Sequence, residues 1–428
     1  MIKLLQSTQS SARFIARRVH HGSAEAGPMK RSSANTYSGR HQTSVLMPRR
    51  RYDRAPRTTP GRKLSTKISL YFIRNIILRI GLAVFLVPLS GCSTLSLYTQ
   101  AVVGQASLLW QRKDINLVIQ DGVTDAATRD KLQLVQQVLK YAKEELNLPV
   151  GDSYSTYVAT GKPYVVWNVF AAPEFSLDMR SFCYPVAGCL SYRGYFKQNQ
   201  ARIFAAGLKH EGHDVFVGGV AAYSTLGWFS DPVLDTFLRR SDVNLSALLF
   251  HELAHRVVFV PGDTRFNESF ATAIEENSLK RWLKSTKREH AYLNYLDARK
   301  RRGQVLKIIG DARELLGQLY VSGVDAGEMR TGKEGLIRQL RANYLELSLT
   351  WDGHEDFKHW MSGEINNAKL GTINDYNGWV PAFNALLAEN DGDLERFIEA
   401  VTDASKLKKK ARDEFLASRL SGCQEAGC

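Results

Sequence analysis

Acidic residues are almost missing from the start of this chain. Residues 1–91 hold two Asp+Glu against 17 Lys+Arg, while the rest of the 428 residues hold 41 acidic and 40 basic. The net charge of +14 therefore belongs to the leader, and the body carries no electrostatic footprint for nucleic acid. The short run Arg299-Lys300-Arg301-Arg302 reads as a solvated helix face. An apolar run of comfortable membrane-spanning length is also lacking. The longest candidate, Ile76 to Leu89, is short and is broken by Arg79. Internal repeats and long linkers are absent, which excludes a stacked-repeat architecture. Cysteine is sparse, with five in the chain.

What is present at the start is an ordered set of signals. Arg62, Lys63, Lys67 and Arg74 precede the apolar segment, which closes on Leu89-Ser90-Gly91-Cys92. A basic region followed by a short apolar one is a signal segment. Its last four residues resemble the bacterial lipobox, which implies lipidation of Cys92 and cleavage before it. Ser93 in place of Asp favours the outer over the inner membrane in that family of signals. The competing reading is an uncleaved anchor. Residues 1–60, rich in Arg and Ser, read like a transit peptide. They are expected to lie ahead of the true translation start and to carry no fold.

Setting Cys92 aside leaves two close pairs, Cys183/Cys189 and Cys423/Cys428. Each encloses a short loop and reads as a disulfide, in keeping with an oxidising compartment. A site of four thiolates on zinc is the weaker alternative, because the spacings exceed those usual for paired ligands.

The body is read as α+β and predominantly helical. Helical spacing of apolar residues runs from Asp125 to Leu146, before Asn147-Leu148-Pro149. Residues 165–170 and 215–220 read as strands of a small, mostly antiparallel sheet. From Asp235 onward the pattern is helical, with segments at 243–259, 265–285, 288–320, 333–349, 378–389, 393–402 and 404–420. The expected division is a leader over 1–91, a catalytic domain over 92–402 and a C-terminal helix with its Cys-bearing tail over 403–428.

Chemistry concentrates in His251-Glu252-Leu253-Ala254-His255 and in Glu268, thirteen residues further on. Two histidines four apart share one helix face, so both imidazoles can reach one zinc ion. Glu268 offers a third ligand and leaves an open corner, while Glu252 is placed as general base for a metal-activated water. Ser241-Asp242 is expected to cap this helix. Asp242, Asp263 and Thr272 are candidates to orient the imidazoles from behind. One Zn2+ per chain is the cofactor expected.

The block Phe266-Asn267-Glu268-Ser269-Phe270-Ala271 resembles the Asn-Glu-Gly-Phe-Ala block of gluzincin-type zinc aminopeptidases. Trp167-Asn168-Val169, Cys183 to Cys189, Tyr192-Arg193-Gly194-Tyr195, Tyr223 to Phe229 and Asn366 to Leu370 extend the likeness to a family of bacterial aminopeptidase lipoproteins, over nearly all of residues 88–402. The resemblance implies a zincin-like helical region behind a small sheet, and a peptide or protein substrate. It also implies an edge strand along the cleft, which points to Gly219, Val220, Ala221 and Tyr223 as substrate-binding residues. Tyr376 is the candidate oxyanion donor, with a half-buried structural tyrosine as its competing reading. Two features depart from the family. The gap from His255 to Glu268 is short, and the segment from Gly218 to Thr225 lacks the Glu that holds a free α-amine. Two further readings stand beside the aminopeptidase: an envelope endopeptidase, and a zinc-containing scaffold lipoprotein without activity. The oligomeric state is not legible.

Overall fold

The computed structural model describes residues 99–100, 103–184, 188–221, 230–373 and 377–426, with side chains up to residue 420. Cys92, Tyr223, Tyr376, Cys428 and the side chain of Cys423 lie outside the described residues, as does the leader. Among the described residues no helix is long and apolar enough to cross a membrane.

The fold is predominantly helical α+β, with its strands in three small sheets. Strands β1 (Lys113–Asp114), β2 (Thr156–Val158) and β8 (Val233–Leu234) form one, and β4 (Phe182–Tyr184) with β5 (Gly188–Leu190) form a hairpin. The third sheet positions the site. It runs β6 (Arg193–Tyr195), β3 (Val166–Pro173), β7 (His213–Val220), all antiparallel, with Asn168 opposite both Gly194 and Gly218.

Side chains alternate across β3. Val169 and Ala171 face helix α3 (Gln198–His210), together with Ala201, Ala205 and Leu208. Asn168 and Phe170 face the other way, toward a cavity. Helix α3 was not expected. Its buried stripe is only two alanines and a leucine, too slight to stand out between two segments read as strands. The hairpin carries the disulfide Cys183–Cys189, which joins residues directly opposite in the register. That pairing is the expected one.

Residues 103–110 are also helical, and from there the remaining helices are α1 (Ile115–Gln120), α2 (Ala126–Glu144), α4 (Asp235–Leu238), α5 (Asp242–Val257), α6 (Thr264–Ser285), α7 (Glu289–Tyr320), α8 (Ala326–Ser348), α9 (Lys358–Ser362), α10 (Asn367–Leu370), α11 (Val380–Glu389), α12 (Leu394–Lys406) and α13 (Lys409–Ala426). The main core lies between α2, α5, α6, α11 and α12. Its centre is aromatic: Phe266, Phe270, Phe383 and Phe397 are at most 1% exposed, and the rings of Phe266 and Phe383 meet edge to face at 5.3 Å. A second core joins α7 and α8, with Trp351 and Met361.

Candidate metal centre

Helix α5 begins where the sequence places it. The Ser241 hydroxyl accepts from the Asn244 N–H at 3.3 Å, and Asp242 occupies the positive first turn. Being buried on several sides, α5 holds its polar motif inside the fold: His251 and Glu252 are each 8% exposed and His255 3%. The chain leaves α5 at Val258 and turns through Pro261-Gly262, where Gly262 takes φ +84°. Asp263 then caps α6 by accepting from the Phe266 N–H at 3.2 Å.

The short connection is clamped from within. The Asn267 amide accepts from the Val260 N–H and donates to the Val260 carbonyl, both at 2.8 Å. On its other side Asp263 pairs with Arg412 of α13 at 2.6 Å, with both side chains buried. This is how twelve intervening residues suffice to return Glu268 to the two histidines.

The three candidate ligands converge. His251 Nε2 lies 3.4 Å from Glu268 Oε2, and His255 Nε2 lies 3.8 Å from Glu268 Oε1. The ligand atoms of all three fall within 4.8 Å of one another. Donors on metal bonds of about 2.1 Å at tetrahedral angles stand about 3.4 Å apart, so the spacing suits a zinc ion. The donor chemistry fits as well. Neither nitrogen of buried His255, nor Nε2 of His251, makes a hydrogen bond among the described residues. Such orphaned groups are costly unless something binds them. Among the described residues no further His, Cys, Asp or Glu joins the group.

Behind His251 stands a residue that the sequence reading missed. Glu275 Oε2 lies 2.9 Å from His251 Nδ1, and its Oε1 accepts from the Tyr295 hydroxyl at 2.5 Å. Arg299 lies 3.9 Å from that same oxygen. The dyad fixes the ring so that Nε2 faces Glu268. Glu275 is seven residues after Glu268, two turns along the same face of α6. That spacing was the available signal.

The three residues expected in this role act elsewhere. Asp242 pairs with Lys131 at 2.7 Å, Asp263 with Arg412, and the Thr272 hydroxyl meets Asn377 at 3.3 Å. The charge run on α7 is also corrected. Arg299 turns inward and pairs with Glu276 at 2.6 Å, Arg301 pairs with Asp356, and Arg302 lines the cavity.

The electrostatics ask for a cation. Burial pulls the His251 imidazole down, yet the carboxylates of Glu268 and Glu275 outweigh it and hold the ring well above its usual range. Burial drives His255 down to about 4 despite Glu268. Burial raises the Glu275 carboxyl, but His251 and Tyr295 hold it below the usual range. With a divalent ion bound, both imidazoles would be neutral ligands and the ion's two charges would balance the two carboxylates. Glu252 lies within electrostatic reach of Arg240, whose guanidinium burial lowers and Glu252 and Glu275 pull back up.

A cavity of about 310 Å³ opens on His251 and Glu268, with Glu275 also in its wall. The strand expected along it contributes less than anticipated. Gly219, Val220 and Ala221 are not in its lining. A Cβ on Gly219 would run into the Tyr164 ring, Val220 is buried, and the Ala221 carbonyl accepts from the Thr236 hydroxyl. The sheet instead presents Asn168 and Phe170 of the central strand.

A buried pair of helices that brings two imidazoles and a carboxylate together, with His251 and Glu268 in the wall of a cavity, is a candidate hydrolytic metal centre. The family model described as "Putative aminopeptidase" matches residues 96–416. The chain belongs to that family, whose description points to peptidase activity and so to a peptide substrate. Neither a curated protein nor a solved structure matches the chain.

Proposed function

We propose that this chain is a zinc-dependent peptidase, an aminopeptidase by family, that hydrolyses peptide bonds with Glu252 as general base. The observation that carries this reading is the convergence of His251, His255 and Glu268 at 3.4 and 3.8 Å beside a cavity. Zinc held by these three supplies the Lewis acidity that activates water and polarises a carbonyl.

The chain's own residues do the rest. The Glu252 carboxylate accepts a proton from the attacking water as the new C–O bond forms. It returns that proton to the amine nitrogen as the C–N bond breaks. Glu275 keeps the His251 ring oriented throughout. Asn168 is 4% exposed, lines the cavity, and its Oδ1 has no hydrogen-bond partner among the described residues. Its amide is the group available to hold the substrate backbone. Tyr376 stands as the proposed oxyanion donor, supported by its place in the chain between Ile373 and Asn377, both of which line the cavity.

The same reading has the chain lipid-anchored through Cys92 on the periplasmic side of the bacterial envelope. The lipobox-like residues and the basic, apolar segment before them support it. Labelled fatty acid should enter the wild type and not Cys92→Ala.

Activity is tested by digesting a small peptide library with zinc-loaded wild type and Glu252→Gln. Single residues released in order from the N-terminus by the wild type, and loss of that release in the variant at equal zinc content, are the expected result. Internal cuts would reject the exopeptidase. Full activity in the variant would reject Glu252 as base.

A further inference from the structure

Tyr295, Arg299, Arg302 and Leu306 are spaced three to four residues apart on α7 and form one stripe. The last three line the same cavity as His251 and Glu268. The upper part of the stripe is committed inward: Tyr295 donates to Glu275, and Arg299 pairs with Glu276 at 2.6 Å. Arg301, on a different face, pairs with Asp356. Arg302 differs from both neighbours. Among the described residues it makes no hydrogen bond and no ion pair within 4 Å; Glu275 is the acid whose charge reaches it, and its guanidinium sits 5.6 Å from the Phe357 ring centroid.

The acids in the cavity wall are already engaged. Glu268 faces two imidazoles, and Glu275 faces His251 and Tyr295. A ligand ammonium entering here meets a cation, whereas a ligand carboxylate meets an unpaired guanidinium fork braced by an aromatic ring. Planar bidentate pairing with carboxylate is what that fork does best.

We propose that Arg302 is a specificity residue that binds a carboxylate of the substrate, so that the cavity selects peptides bearing one near the scissile bond. This rests on the peptidase reading and narrows its substrate class. The carboxylate can come from the C-terminus of a short peptide or from an Asp or Glu side chain.

Two readouts keep the inference separate from the activity on which it rests. The first is kcat and KM of zinc-loaded wild type on Ala-Ala-Ala as free acid and as amide, and on Ala-Glu-Ala amide against Ala-Gln-Ala amide. The second is calorimetric binding of the same four peptides to zinc-loaded Glu252→Gln, which needs no turnover. One acid-bearing member should be favoured by about tenfold or more, seen mainly in KM and in binding. The pair that shows this identifies the source. Arg302→Met should bring the ratio to about one at unchanged zinc content and fold, and Arg302→Lys should keep part of it. Preference in binding without turnover upholds the inference and rejects the peptidase. Turnover without preference, no binding of any peptide, or a preference that survives Arg302→Met overturns the inference.

Discussion

Two walls meet at the cavity and treat their polar groups in opposite ways. On the helix pair α5–α6, four acids and amides are engaged: Glu268 with two imidazoles, Glu275 with His251 and Tyr295, Asp263 with Arg412, Asn267 with Val260. Elsewhere in the lining, Asn168 Oδ1 has no hydrogen-bond partner among the described residues, and Arg302 has no hydrogen bond or close ion pair, only the more distant charge of Glu275. Buried or cleft polar groups cost free energy when left alone. The difference assigns the two walls separate tasks, one holding a cation in fixed geometry and the other meeting a ligand that comes and goes.

The sharpest way to break this division is to remove ligands from the first wall. His255→Ala and Glu268→Ala should each abolish zinc retention, and turnover should fall by more than the roughly 10²- to 10⁴-fold expected for loss of a general base alone. Metal analysis beside peptide turnover checks it. A variant that kept its zinc would show that the ion sits elsewhere.

Next in size is Arg412→Met, which leaves the buried Asp263 carboxylate at the cap of α6 with only the exposed Lys409 at 3.7 Å as a cation. Breaking such a pair costs about 3–5 kcal/mol, measurable by denaturant unfolding. The pair also sets an acid limit. Burial raises the Asp263 carboxyl, but Arg412, the Phe266 amide and Lys409 outweigh it and hold it below the usual carboxylate range. Stability from a carboxylate held low is present above its unfolded value near 3.9, and is lost as pH falls through the lower folded value. Melting temperatures of Asp263→Asn should therefore fall less steeply than those of the wild type on acidification. Equal slopes would remove Asp263 from the acid transition.

A smaller change separates orientation from ligation. Glu275→Gln keeps a hydrogen-bonding group behind His251 but removes its charge. It should weaken zinc binding about 10- to 100-fold while leaving the fold intact, as competition with a chelator would show. The smallest effect belongs to a region outside both walls. Reducing or replacing the Cys183–Cys189 link frees a loop of about seven residues, worth about 2 kcal/mol in thermal unfolding.

Legibility in the sequence followed the same line between the walls. The motif helix and its return helix were visible because 3.6-residue periodicity, a capping Ser and the Pro-Gly break are local properties of the chain. Glu268 was visible for the same reason. Glu275 was not, since nothing in Glu275-Glu276 says which acid meets His251 until α6 is rotated against α5 and α7. The run from Arg299 to Arg302 was misread because a helix sends consecutive charges to different faces, and only packing decides which face is buried. Asn168 came to the cavity through strand pairing: the central position of β3 gives its cavity face to Asn168 and Phe170, where an edge strand had been expected to do the work.

The central claim is that His251, His255 and Glu268 hold one cation between them. Zinc-edge X-ray absorption on the purified wild type tests it directly. One zinc per chain is expected, with two imidazole nitrogens and carboxylate oxygen in its shell at about 2.0–2.2 Å. Sulfur scattering in that shell, or a spectrum unchanged in the protein carrying His251→Ala, His255→Ala and Glu268→Ala together, would contradict it.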